Sequence, residues 1–106
     1  MKTISREELK ARLDRGDRFK LVMVMPEWAY RAKHIPGSLA CIEPEEAYAQ
    51  LSSDEEIIIY CSDPACMNSA RAYEVLEQHG YRHLHHYVGG LLDWEAAGYP
   101  LEGESM

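Results

Sequence analysis

At 106 residues, with 46% hydrophobic and 27% charged residues, the chain has a globular composition and the length of one domain, 1–106, that buries roughly two-thirds of its extended-chain surface. A formal net charge of -7 leaves no broad basic face for nucleic acid or an anionic membrane. The longest apolar run near the front, Leu21–Met25, is too short for a signal peptide or a span, and three cysteines in such a chain predict reduced thiols in a cytoplasmic setting.

Ser5-Arg6-Glu7-Glu8 is a capping-box pattern, with Ile4 and Leu9 placed for a hydrophobic staple. Leu9 and Leu13 share one helical face, and Gly16 supplies the stop. Phe19–Met25 reads as a buried strand closed by Pro26, and Glu27–Tyr30 as a short helical turn. His34-Ile35-Pro36-Gly37 marks a turn, Ser38–Ile42 a short strand, and Pro44 the first turn of a helix to about Leu51. Asp54-Glu55-Glu56 reads as a solvated loop.

Ile57–Tyr60 is apolar without alternation, as a strand covered on both faces would be. From Ser69 the pattern turns helical, with Ala72, Val75, Leu76 and His79 on one face and Gly80 as the cap. Leu84–Val88 is a further strand, and Leu91–Gly98 a last short helix after Gly89-Gly90. Strands alternating with helices predict an α/β domain with a parallel sheet, whose ligand site lies beyond the carboxyl ends of the strands.

Cys61 stands at one of those ends. A thiolate is favoured near a helix N-terminus, and a loop that curls back towards the helix at Ser69 can turn its amides inward to hold an anion. The alternative is a buried cysteine that merely ends a strand.

At this point the sequence resembles the rhodanese-like domains. "HIPGS" (34–38) is similar to their HIPGA turn and "IIIYC" (57–61) to their catalytic strand and cysteine. "LEQHGY" (76–81) resembles the end of their central helix, and "VGGLLDWEAAGYPL" (88–101) their closing GG-x-x-x-W-x-x-AG-x-P-L segment. The resemblance implies a single α/β domain with a five-stranded, mainly parallel sheet and helices on both faces. It also implies a sulfurtransferase in which Cys61 carries sulfane sulfur as a persulfide, bound by the loop Ser62, Asp63, Pro64, Ala65, Cys66, Met67, Asn68 and Ser69. Its partners would be a small-molecule or protein persulfide donor and a thiol acceptor. It calls for no cofactor and assigns no oligomeric state.

Four departures bear on chemistry. The loop is two residues longer than the family's C-x-x-G-x-R-S form, and Asn68 stands where the arginine would be. Met23 and Met25 replace a frequent aspartate and arginine, Ala29 replaces a glutamate, and Cys66 is an addition. Thiosulfate is a dianion that a guanidinium would help to hold. With that help missing and Asp63 adding a negative charge, weak use of thiosulfate is expected. A phosphatase reading fails for the same want of a loop arginine.

Cys66 is a candidate resolving thiol for Cys61, provided their Cα atoms come within about 7 Å; as a small residue packed under the loop it would have no such role. Two cysteines fall short of a zinc site. His79, His83, His85 and His86 read as exposed or edge-strand side chains, with His83 and His85 on one face and His86 on the other. His34 reads as a turn-fixing residue, Cys41 as core, and Trp28 and Trp94 as core or rim. The other functional classes kept open are a catalytically silent binding or regulatory module and a Cys61–Cys66 thiol-disulfide switch.

Overall fold

The three consecutive isoleucines Ile57–Ile59 are fully buried because both faces of their strand are covered. The computed structural model describes residues 1–104; Ser105 and Met106, the end of the expected 1–106 domain, lie outside the described residues. The elements are α1 (Arg6–Arg15), β1 (Lys20–Met23), α2 (Glu27–Ala32), β2 (Ser38–Ala40), α3 (Pro44–Gln50), β3 (Glu56–Tyr60), α4 (Asn68–Gln78), β4 (His83–Tyr87) and α5 (Gly90–Ala96). The strands form one sheet in the order β2-β1-β3-β4, and every pairing is parallel.

The sheet has four strands rather than the five expected. The missing one is reduced to a single parallel bridge between Thr3 and His86, with Ile4 N donating to His86 O at 3.2 Å and His86 N to Lys2 O at 2.8 Å. It stops there because Ser5 caps α1, its Oγ accepting from Glu8 N at 3.1 Å. At the other end Gly16, at φ 74°, donates its N–H to the carbonyls of Arg12 and Leu13.

Alternate residues of the strands feed two cores. Val22, Val24, Ile57, Ile59 and Leu84 face α3 and α4 through Ala47, Leu51, Tyr73 and Leu76. Leu21, Met23, Ile58, Tyr60 and Tyr87 face α1 and α5 through Leu9 and Trp94. The buried face of α4 is Ser69, Tyr73 and Leu76; His79 instead lies exposed, its ring against Tyr48. Trp94 is core, whereas Trp28 is 73% exposed on a helix that buries no residue.

Glu56, expected in a solvated loop, opens β3 and takes a two-pronged ion pair from Arg12 (Nη1–Oε2 2.6 Å). The Arg12 hydrogen bonds hold its carboxyl below the usual carboxylate range. Glu56→Gln is therefore expected to lose about 1–2 kcal/mol of stability at neutral pH. A depressed folded-state pKa stabilises above the ordinary carboxylate range and stops doing so as pH falls through the folded value. The gap from wild type in urea melts should accordingly be full at pH 7 and close in acid; a gap independent of pH would refute the ion-pair account.

Candidate active site

Cys61 follows β3 directly and is 1% exposed. Its backbone is gripped from below by α5: Leu91 N donates to Cys61 O at 2.9 Å and Leu92 N to Ser62 O at 2.8 Å. Gly90 makes this approach feasible. It sits at φ 70°, and a Cβ there would stand 2.7 Å from Cys61 O and 3.0 Å from Asp63 N. The second glycine of the Gly89-Gly90 pair is thus required by the cysteine loop, not by the helix it starts.

The loop folds on itself through Asp63, whose Oδ1 accepts from Ala65 N at 2.8 Å and Cys66 N at 3.1 Å. This is the turn that Asp-Pro favours. A carboxylate of the chain itself thereby takes two loop amides that a bound anion would otherwise need. At the far end of the loop Met67 precedes α4 without a side-chain cap, so the amides that open this helix are left to the loop. Asn68, in the arginine's place, is exposed. Ser69 is buried, its Oγ 2.7 Å from His86 Nε2.

Cys61 and Cys66 are joined by a disulfide, with Cα atoms 6.4 Å apart. The expectation of three reduced thiols is corrected: the structure holds one disulfide and one free thiol, Cys41. The five-residue step across a curled loop brings the two Cα atoms within bonding reach. Cys61 is sealed in while Cys66 is half-buried, so Cys66 is the residue of the pair nearer to solvent. Cys61 Sγ lies 3.6 Å from Met25 Sδ. Met25 is a site neighbour that sequence reasoning noted only as a departure from the family's strand; nothing in its local pattern marks it as touching the cysteine.

Cys41 is separated from Cys61 by the width of β1, about 10 Å at two strand spacings, beyond disulfide reach. Burial pushes its thiol up to about 11, and it donates to Glu43 O, so it reads as inert core. Tyr60 OH accepts from Ile35 N at 3.1 Å and donates to Ser38 Oγ at 3.0 Å, pinning the 34–38 turn to β3. His34 stacks on Tyr30 and donates from Nδ1 to Tyr30 O at 2.7 Å, which fits a turn-fixing role. Of the histidines read as exposed or edge-strand, His86 lies on the edge strand β4 but is 7% exposed, and burial lowers its pKa. The Lys2–Ile4 segment on its strand covers it.

Two clefts flank the loop at the carboxyl ends of the strands. One, of about 370 Å³, is lined by Val24, Ile42, Glu43, Asn68, Arg71 and Val75; the other, of about 410 Å³, includes Met25, Tyr30, Arg31, Cys41 and Glu46. Arg71, the nearest arginine in sequence to the loop, faces the first of these, which Cys61 does not line. Among the described residues no group of three or more His, Cys, Asp or Glu side chains could hold a metal ion, and no helix is long and apolar enough to cross a membrane.

The rhodanese-like domain profile matches residues 5–97. The chain belongs to the rhodanese-like domain family. The HTH-type transcriptional regulator Rv0324 of Mycobacterium tuberculosis is 33% identical over 101 residues, covering 93% of this chain but 44% of the regulator. The chain thus spans less than half the length of that relative. Among solved structures, the BH2092 protein of Bacillus halodurans superposes with a TM-score of 0.90 at 26% identity, over 98% of this chain and 78% of that one. The rhodanese-like domain of the Alr3790 protein of Anabaena sp. gives 0.88 at 27% identity, over 99% and 81%. In this rhodanese-like fold the cysteine, its loop and the Gly89-Gly90 turn form one continuous hydrogen-bonded unit.

Proposed function

We propose that the chain is a sulfurtransferase that carries sulfane sulfur as a persulfide on Cys61 and passes it to a thiophilic acceptor in the cytoplasm. The observation that carries this reading is the seating of Cys61 at the carboxyl end of β3, in a loop held by the start of α5 and running into the uncapped start of α4. A strand end that leads through a short loop into a helix start is a setting that favours a nucleophilic sulfur. Ser62–Ser69 form the substrate loop, with Cys66 as resolving thiol. The donor is a small-molecule or protein persulfide, and the acceptor a thiol. The test is mass spectrometry of the reduced chain after an organic persulfide. One cyanide-removable sulfur per chain supports the carrier; none sinks it.

Thiosulfate should be a poor donor. Asp63 puts a carboxylate into the loop, and the loop, with Asn68 in the arginine's place, holds no guanidinium to balance it. A carboxylate about 5 Å from a bound anion repels it by roughly 3 kcal/mol at an effective dielectric near 20, and exposure to solvent cuts this to roughly half. Asp63→Asn keeps the Oδ1 acceptor for both loop amides and removes the charge. It is expected to raise kcat/KM for thiosulfate about tenfold; an unchanged or lower value would acquit Asp63.

A second reading is favoured by the Cys61–Cys66 disulfide itself: a thiol-disulfide switch in a regulatory module. Its support is that disulfides in reducing compartments are typically catalytic or redox-sensing, and that the matched relative bears the name of a transcriptional regulator. A chain that forms the disulfide on mild oxidation but never takes up sulfane sulfur would be the switch alone.

A further inference from the structure

The oxidised loop presents an electrophile of a particular shape. Cys61 is 1% exposed, with its sulfur against Met25 Sδ at 3.6 Å, while Cys66 is half-buried and followed by Met67, 72% exposed. A nucleophile arriving from solvent therefore meets Cys66 Sγ, and the sulfur displaced is that of Cys61. The leaving thiolate stays at the carboxyl end of β3, ahead of the uncapped start of α4; a helix N-terminus lowers the basicity of a nearby thiol, and a less basic thiolate leaves faster. Asp63 flanks the point of attack, its carboxylate tied to Ala65 N and Cys66 N. That charge selects against dianions and against bulky anions that cannot stay hydrated on the approach.

We infer that hydrosulfide is a substrate of the disulfide-closed form: it adds at Cys66 and loads Cys61 with sulfane sulfur. The inference rests on the reading of Cys61 as the persulfide carrier and names a source of its sulfur. In the first step HS⁻ attacks Cys66 Sγ, the Cys61–Cys66 bond breaks, and the products are a Cys66 persulfide and the Cys61 thiolate. The disulfide is the oxidant, gaining two electrons, and the hydrosulfide sulfur rises to the sulfane level. In the second step the Cys61 thiolate attacks the outer sulfur of that persulfide, giving the Cys61 persulfide and the Cys66 thiolate. The two cysteines are already within bonding reach, at 6.4 Å between Cα atoms.

Hydrosulfide is singled out by its chemistry. Any other thiolate attacking Cys66 leaves a mixed disulfide with no transferable sulfur, whereas hydrosulfide leaves a persulfide. It carries one charge on one heavy atom and exchanges with the neutral acid near pH 7, so the Asp63 carboxylate opposes it least. The loop then needs no arginine, because no dianion has to be held. The added Cys66 and the absent guanidinium become two sides of one adaptation.

The experiment uses the full chain in two arms. In the first, protein oxidised until it has lost two hydrogens is treated with sodium sulfide, desalted and weighed. In the second, reduced protein receives an organic persulfide. The expected result is a gain of one sulfur with two hydrogens in the first arm, released as thiocyanate by cyanide and mapping to Cys61. Cys66→Ser, which cannot form the pair, should gain nothing from sulfide. Failure of the oxidised chain to gain sulfur from sulfide while the reduced chain gains it from the persulfide overturns this inference and leaves the carrier standing. Failure of both arms removes both. A chain that never loses two hydrogens on oxidation, or a Cys66→Ser variant loaded by sulfide as well as wild type, also overturns it.

Discussion

Cys61→Ser is expected to leave a folded chain that takes up no sulfane sulfur from any donor. Serine fits the space, since Cys61 is 1% exposed and its backbone, not its sulfur, holds the loop to α5. What is lost is a nucleophile: a hydroxyl stays protonated where a thiol ionises, and oxygen does not store sulfane sulfur. The variant also loses the disulfide, so Cys66→Ser is the stability control; the two should unfold at similar urea concentrations. Residual uptake in Cys61→Ser above the background of a cysteine-free variant would move the carrier role to another thiol. Cys66, freed of its partner, is then the candidate, since Cys41 is poorly placed for it, buried and with its ionisation pushed up to about 11.

Trp94→Ala carries the largest expected effect on the fold. The indole is 1% exposed, meets Tyr87 and Tyr99 edge-on at 6.2 and 4.8 Å between ring centres, and donates Nε1–H to Pro100 O at 2.8 Å. Truncating a buried tryptophan costs roughly 3–5 kcal/mol, a large part of the ~5–15 kcal/mol available to a domain of this kind. The loss falls on α5, which grips the carbonyls of Cys61 and Ser62. Urea unfolding should show the destabilisation. Hydrogen exchange at the Leu91 and Leu92 amides, the two that hold the loop, should quicken more than exchange in β3. Trp94→Phe should recover much of the stability but not the bond to Pro100 O. A stable Trp94→Ala variant with slow exchange at those amides would separate α5 from the loop.

The layered architecture was legible because it follows from local chemistry. Ile57–Tyr60 announces a strand covered on both faces by its lack of alternation, and the Ser5 and Gly16 caps bound α1 as read. The strand drawn over Phe19–Met25 shrank to Lys20–Met23: Val24 N still donates to Tyr60 O at 2.9 Å, and the chain bends at Met25 ahead of Pro26. The fifth strand was expected from resemblance, and the Ser5 cap leaves it only one bridge. Burial of His86 and exposure of Trp28 were not legible. Both depend on what lies opposite: Lys2–Ile4 beside the histidine, and little among the described residues over the tryptophan.

At the site, the position of Cys61 was readable because a strand end in a parallel sheet is a topological place. The disulfide was not, since a C-x-x-x-x-C spacing leaves the Cα separation to the curl of the loop. Nor was the direction of the Asp63 carboxylate: the sequence shows a charge, and only the fold shows it turned back onto two amides of its own loop. Met25 reaches the sulfur because β1 lies beside β3, a neighbour relation that no short motif records.

The account turns on whether the loop makes Cys61 a reactive thiolate. The most direct measurement is the pH dependence of iodoacetamide alkylation at Cys61, followed by peptide mass in the fully reduced chain, with Cys41 as an internal reference. The account predicts a midpoint for Cys61 well below that of a free thiol, with Cys41 all but unreactive over the same range. A Cys61 that alkylates no faster than Cys41, with a midpoint at or above the ordinary thiol value, would contradict it and leave a strand-ending cysteine in a binding module.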